Sequence, residues 1–227
     1  MAAARRGTPG AARGQYGMDR ICRLVLAGLV LLAPASAHAR EWLFDVTLDG
    51  LSIGTHRYTL REEGDARHLT SDAHFRVRLL LIDAYRWDHH AEEAWNAGCL
   101  VSLDSATTEK GRTTTVQGRL EAGSFVIVGA DGQRQSVGAC ALTFAYWNPR
   151  IFAQQVLVNV QTGAPTPVKI ERLPKTMVTA RGQSVDAGVY VVETERSRTE
   201  AYYDARGEWI GMRSTTRTGH VLEYRLR

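Results

Sequence analysis

From residue 42 onward, apolar and polar residues alternate with a period of two along most of the chain. Trp42, Phe44, Val46 and Leu48 share one parity, while Leu43, Asp45 and Thr47 share the other. Successive side chains of a strand point to opposite faces, so this pattern predicts strands with one dry and one wet side. The same rule sets Leu69, Ala73, Phe75, Val77 and Leu79 against Thr70, Asp72, His74, Arg76 and Arg78. A further run places Tyr85, Trp87, Ala91 and Trp95 opposite Arg86, Asp88, His90 and Glu92.

Glycine-bearing turns punctuate these runs. Asp49-Gly50 is a hairpin signal because both residues tolerate positive φ. Asn96-Ala97-Gly98, Glu109-Lys110-Gly111, Glu121-Ala122-Gly123 and Ala130-Asp131-Gly132 repeat the device. Between them lie strand-like segments near 53–60, 99–108, 112–120 and 124–129. Others follow near 156–160, 167–172, 188–195, 199–204, 208–217 and 220–227. Residues 182–188 are polar and glycine-rich and read as a loop. The one helical candidate is Cys140–Gln155, interrupted where Asn148-Pro149 bars the preceding residue from the α region.

An amphipathic sheet must cover its dry face, since each Å² of exposed apolar surface costs about 25 cal/mol. A helical segment of 15 or so residues is too short for that task, which leaves a second sheet or a sheet curled on itself. Consecutive short hairpins favour the second solution: a mainly β, antiparallel meander forming a barrel or half-barrel, with the 140–155 segment at its mouth or in its concavity. The inward set is bulky: Trp42, Phe44, Phe75, Tyr85, Trp87 and Trp95. It suits a filled barrel and the lining of a cavity for an apolar guest equally well. Tyr146 and Trp147, just before Pro149, fit a cavity rim or gate, or a loop pinned onto the barrel.

The N-terminus changes the picture of where this domain works. Met18–Arg23 is a short positively charged stretch, Leu24–Leu32 is apolar, and Ala33–Ala39 ends in small-x-small. That order is a secretory signal with cleavage expected after Ala39. Its apolar run is about half the roughly 20 residues of a membrane span. Residues 1–17 fit no part of such a signal, so translation is expected to begin at Met18. The reading is therefore a leader over 1–39 and a single domain over 40–227, exported, most simply to a periplasm. Residues 1–39 hold five arginines and one aspartate, so 23 basic and 23 acidic residues remain. A domain without surplus positive charge is a poor match for phosphate backbones, which excludes nucleic acid as partner. Cys99 and Cys140 remain after cleavage. In an oxidising compartment two lone cysteines most simply pair, a link worth about 4 kcal/mol; the alternative is two buried thiols.

For chemistry, the segment Trp87-Asp88-His89-His90-Ala91-Glu92-Glu93 is the richest. Imidazole and carboxylate together bind zinc or move protons. Adjacent strand residues face opposite ways, however, so an enzymatic site would rest on Asp88, His90 and Glu92, with His74 across the sheet. The competing reading is a solvated polar face. His56, His68 and His220 stand singly and read as strand-surface residues. No nucleophile elbow, phosphate loop or metal-ligand spacing is present. The sequence thus predicts neither cofactor nor metal, and no enzyme.

Glu41–Val46, Leu51–His56, Phe144–Pro149, Tyr203–Trp209 and Gly219–Tyr224 together resemble a family of exported proteobacterial proteins classed only as a domain of unknown function. The likeness spans nearly the whole of 40–227, and Phe-Ala-Tyr-Trp-Asn-Pro is its most specific piece. More loosely, the hairpins resemble the curved half-barrels of periplasmic lipoprotein carriers, which implies a concave sheet able to hold acyl chains. The expectation is a non-enzymatic envelope protein binding an apolar or lipid-like ligand. The alternative is a solidly packed module that docks an envelope protein partner.

Overall fold

The computed structural model of the chain describes residues 38–79 and 82–227. The expected leader lies outside these residues, except that His38 and Ala39 already pair with Glu62 and Arg61. Fifteen strands follow in order: β1 (His38–Leu48), β2 (Leu51–Glu63), β3 (Ala66–Leu79), β4 (Ile82–Asn96), β5 (Cys99–Glu109), β6 (Arg112–Glu121), β7 (Ser124–Val128), β8 (Arg134–Ser136), β9 (Val156–Val158), β10 (Pro165–Pro167), β11 (Lys169–Ala180), β12 (Gln183–Glu193), β13 (Ser197–Tyr203), β14 (Trp209–Thr216) and β15 (Val221–Leu226). Thirteen of them form one antiparallel sheet in the order β11-β12-β13-β14-β15-β1-β2-β3-β4-β5-β6-β7-β8, while β9 and β10 pair separately. The sheet is open: its edges are β8 and β11. Among the described residues no helix is long and apolar enough to cross a membrane.

Turn chemistry sets this meander. Asp49-Gly50, Ala97-Gly98, Lys110-Gly111 and Ala122-Gly123 each place two successive residues at positive φ. That is the requirement of the type I′ turn, whose twist matches the strands it joins. Arg181-Gly182 does the same, and here the sequence expectation fails. Residues 182–188 are no loop but the start of β12, and β11 runs well past residue 172. Val178 lies opposite Val185, and Ala187 is buried. The alternation therefore persists, hidden by exposed polar residues on the other parity.

The dry parity faces the concave side, where registered rows cross from strand to strand. One runs Leu226, Phe44, His56, Ala73, His89, Thr107 and Thr114. Another runs Leu60, Leu69, Glu93, Leu103, Gly118 and Ile127. Strands β2 and β3 approach closely at Gly54, which has φ 145°; a Cβ there would lie 1.9 Å from the His74 carbonyl oxygen.

The chain between the two edges, residues 137–168, has to cross the open side of the sheet. It enters the concavity and covers the dry face. Leu100 N donates to Ala141 O at 3.0 Å and Val158 N to Leu142 O at 2.7 Å. The Ser105 hydroxyl donates to Val160 O, and on the opposite flank the Tyr203 hydroxyl donates to Tyr146 O at 2.7 Å. Cys99 and Cys140 form a disulfide that staples this connection to β5. The expected helix over 140–155 contracts to a 3₁₀ turn, Pro149–Ala153, whose N-cap Asn148 accepts from Arg150 N at 3.1 Å. Pro149 is favoured at such a start. Before it, the Ala141 and Leu142 carbonyls accept from Leu100 and Val158, and those of Phe144 and Ala145 accept from Tyr146 and Asn148 in tight turns, so no helix forms.

Candidate ligand-binding cavity

The covering segment does not fill the concavity. A cavity of about 830 Å³ remains between it and the sheet, within the usual range for small-molecule sites. Phe75, Tyr85, Trp87, Tyr146 and Trp147 line it. Trp42, Phe44 and Trp95 do not; they are 1%, 0% and 1% exposed and form packed core. Phe44 lies 4.5 Å from Trp209 by ring centroids. The inward aromatics thus divide into a filled end and a hollow end.

Tyr146 and Trp147 act as pins as well as walls. The Tyr146 ring packs on Trp209 at 5.6 Å, and Trp147 meets Trp95 edge-on at 5.4 Å. On the facing wall Phe75 and Trp87, paired across β3 and β4, stack at 4.9 Å with 12° between planes. His89 continues the stack 5.5 Å from Trp87.

Polar groups also face this space, and they are not the ones expected. Asp88, His90 and Glu92 occupy the outer face. His74 and Arg86 hold Asp88 at 2.8 and 2.7 Å. His90 lies 2.6 Å from Asp72 and 3.8 Å from Glu92. These are cross-strand and neighbour polar contacts open to water, so this cluster belongs to a solvated surface. Among the described residues no group of three or more His, Cys, Asp or Glu is arranged to hold a metal ion. His220 is likewise exposed and pairs with Asp49 at 2.8 Å.

His56 is the opposite case. Read as a surface residue, it is 6% exposed and lines the cavity. Its Nε2 lies 2.7 Å from the Ser71 hydroxyl, and its Nδ1 lies 3.2 Å from both the Tyr224 and Tyr58 hydroxyls. Burial, with the nearby His89 and His74, pushes its pKa down to about 3. The ring is neutral at physiological pH, and both nitrogens are satisfied. His89 is 3% exposed. Its Nδ1 bonds the Thr107 hydroxyl at 2.8 Å, while its Nε2 is buried with no partner. Burial pushes this pKa down to about 4.

Glu93 is 5% exposed and also lines the cavity. The Thr143 hydroxyl, from the covering segment, donates to its Oε2 at 3.0 Å. Burial pushes its pKa up to about 7; the Thr143 and Trp95 donors oppose the rise, although Trp95 Nε1 makes no hydrogen bond of good geometry. Tyr58 and Tyr224 sit nearby with pKa values raised chiefly by burial. A signal for this polar interior exists in the sequence: His89 and Glu93 share the parity of Trp87, Ala91 and Trp95. Nothing comparable marks Thr143, which reaches Glu93 through the long connection.

The model of the DUF6134 family, a domain of unknown function, matches residues 44–227. No curated protein matches the chain. Among solved structures, the crystal structure of a β-barrel-like protein of the domain of unknown function DUF1849 from Brucella abortus is similar, with a TM-score of 0.59 and 10% identity. The match covers 84% of this chain and 96% of that one. At that identity the likeness concerns the fold.

Proposed function

The chain belongs to the DUF6134 family, and from that premise we propose that it is an exported, non-enzymatic binding protein whose half-barrel holds an apolar or amphipathic small molecule. The observation that carries this reading is the aromatic-walled cavity of about 830 Å³ between the sheet and residues 137–168. A solid scaffold has no use for such a void, because unfilled space forfeits packing contacts. The stacked Phe75–Trp87 pair offers a flat apolar wall, and buried His56, His89 and Glu93 supply the few polar groups that orient a guest.

Export is supported by the signal-like pattern at 18–39 and by the Cys99–Cys140 disulfide, since such links persist in oxidising compartments. A periplasm is the simplest destination. The competing role, docking an envelope partner by strand addition, has less support. The exposed edge β11 carries Lys169, Pro174 and Lys175, residues that blunt an edge against pairing.

Native mass spectrometry of the secreted chain, with fluorescence titration of an apolar naphthalene dye, tests the proposal. Expected is a co-purified small molecule, or saturable one-site dye binding that is weakened by Trp87→Ala. A ligand-free mass together with no saturable binding overturns it.

A further inference from the structure

The cavity's polar inventory is lopsided in charge. Glu93 is a buried carboxyl on β4, and the histidines sharing its cavity, His56 and His89, are neutral. Among the described residues the one cationic side chain lining the space is Arg196, which is exposed beside exposed Glu195 at the turn between β12 and β13. Glu93 therefore has a hydroxyl partner, Thr143, but no counter-charge. A buried carboxylate without a cation is costly, and a neutral glutamine or threonine would have served an uncharged guest.

Aromatic rings share the cavity with this carboxyl. Tyr58, Tyr146 and Trp147 line the same space, and the Phe75–Trp87 stack lies farther along the same wall. A carboxylate in an aromatic-walled cavity is the chemistry that recognises an organic cation. The alternation of β4 places Glu93 and His89 on one wall, two same-face steps or about 13 Å apart along the strand. A guest anchored at Glu93 would thus lay its body past His89 toward Trp87. The unpartnered His89 Nε2 lies on that path and offers one further hydrogen bond.

Resting on the binding role proposed above, we infer that the guest is an amphiphile with a protonated amine at one end, the ammonium pairing with Glu93 and the apolar body lying along the Trp87–Phe75 wall.

The secreted full-length domain is titrated at pH 8 with dodecylamine, dodecanol and dodecanoic acid below their aggregation limits, following tryptophan fluorescence and native mass. Dodecylamine is expected to bind at least about tenfold more tightly than the other two. Glu93→Gln should reduce that preference to about twofold or less, and the exposed control Glu92→Gln should retain it. Wild-type protein provides a second measure, independent of whether the Glu93→Gln variant folds. From pH 8 to pH 5 the amine preference should collapse as Glu93 takes up its proton. The groups facing it, His56 on β2, His89 on β4, Tyr58 on β2, Tyr146 on the connection and Tyr224 on β15, stay neutral throughout that range. Equal binding of amine and alcohol, tighter binding of the acid, or a preference that survives Glu93→Gln or pH 5 overturns the inference and leaves the cavity reading standing. If none of the three probes binds, both fall.

Discussion

Replacing Cys99 and Cys140 together by alanine should cost far more stability than the contacts of the two sulfurs suggest. Cys140 is exposed and Cys99 only half-buried, so losing the sulfurs opens little cavity. The effect comes instead from the denatured chain. The bridge joins residues 41 apart in sequence, and freeing a loop of that length returns conformational entropy worth about 4 kcal/mol. For a domain of this size the loss should lower the melting temperature by roughly 10 °C. The native structure should feel it locally too, since the bridge holds the covering segment at the point where it enters the concavity. Melts of the oxidised wild type and the double variant, followed by circular dichroism with a fluorescent apolar dye, would report both effects. The variant should melt earlier and bind more dye below its transition. A midpoint within about 2 °C of wild type would refute the argument, because the connection would then be held by its hydrogen bonds and packing alone.

Gly54→Ala should destabilise the protein by about 3 kcal/mol or more in urea unfolding, because the new methyl meets the His74 carbonyl at 1.9 Å and the backbone sits at φ 145°. Stability should depend on pH with two opposed signs. His56 and His89 have native pKa values of about 3 and 4, below their unfolded value near 6.5. The unfolded chain therefore binds protons first as pH falls below about 6.5, and their contribution is lost on acidification. Glu93, raised to about 7, works the other way: the native state holds its proton between about 4.5 and 7, so its contribution is lost as pH rises through that window. Glu93→Gln should therefore improve stability at pH 8 relative to pH 4 by about 3 kcal/mol compared with wild type. Parallel stability–pH curves for the two proteins would contradict this assignment.

The β class, most turns and the inward aromatics were legible because they follow from local rules. Parity assigns faces, and a two-residue turn ending in glycine assigns hairpins. The sequence signal failed where one parity was polar for reasons of its own. In Gln183–Ala187 the exposed residues masked a strand, and the expected helix at 140–155 dissolved because Ala141 and Leu142 bond to Leu100 and Val158 rather than to helical neighbours. For the cavity, parity marked the inward aromatics but could not separate the lining Phe75, Tyr85 and Trp87 from the packed Trp42, Phe44 and Trp95, and the polar half was not legible. His89 and Glu93 lie on the dry parity, yet their side chains suggested water. His56 looked like a surface residue because two of its partners, Ser71 and Tyr224, come from other strands, and Tyr224 lies 168 residues away. Hollow and filled barrels share one alternation pattern. What separates them here is the path of residues 137–168, a matter of tertiary packing.

The pairing of β15 with β1 has a consequence for how the chain acquires its structure. Each of the two ribbons, β1 to β8 and β11 to β15, zips up from neighbouring hairpins, which are quick to close. Their shared seam joins stretches nearly the whole sequence apart, and non-local pairings of this kind form late. Until it forms, β1 presents an unpaired edge of alternating apolar residues, at a position that becomes the interior of the finished sheet. A polypeptide whose first strand waits on its fifteenth is vulnerable to aggregation for that interval. Changes within Val221–Leu226 would accordingly be felt in the middle of the sheet.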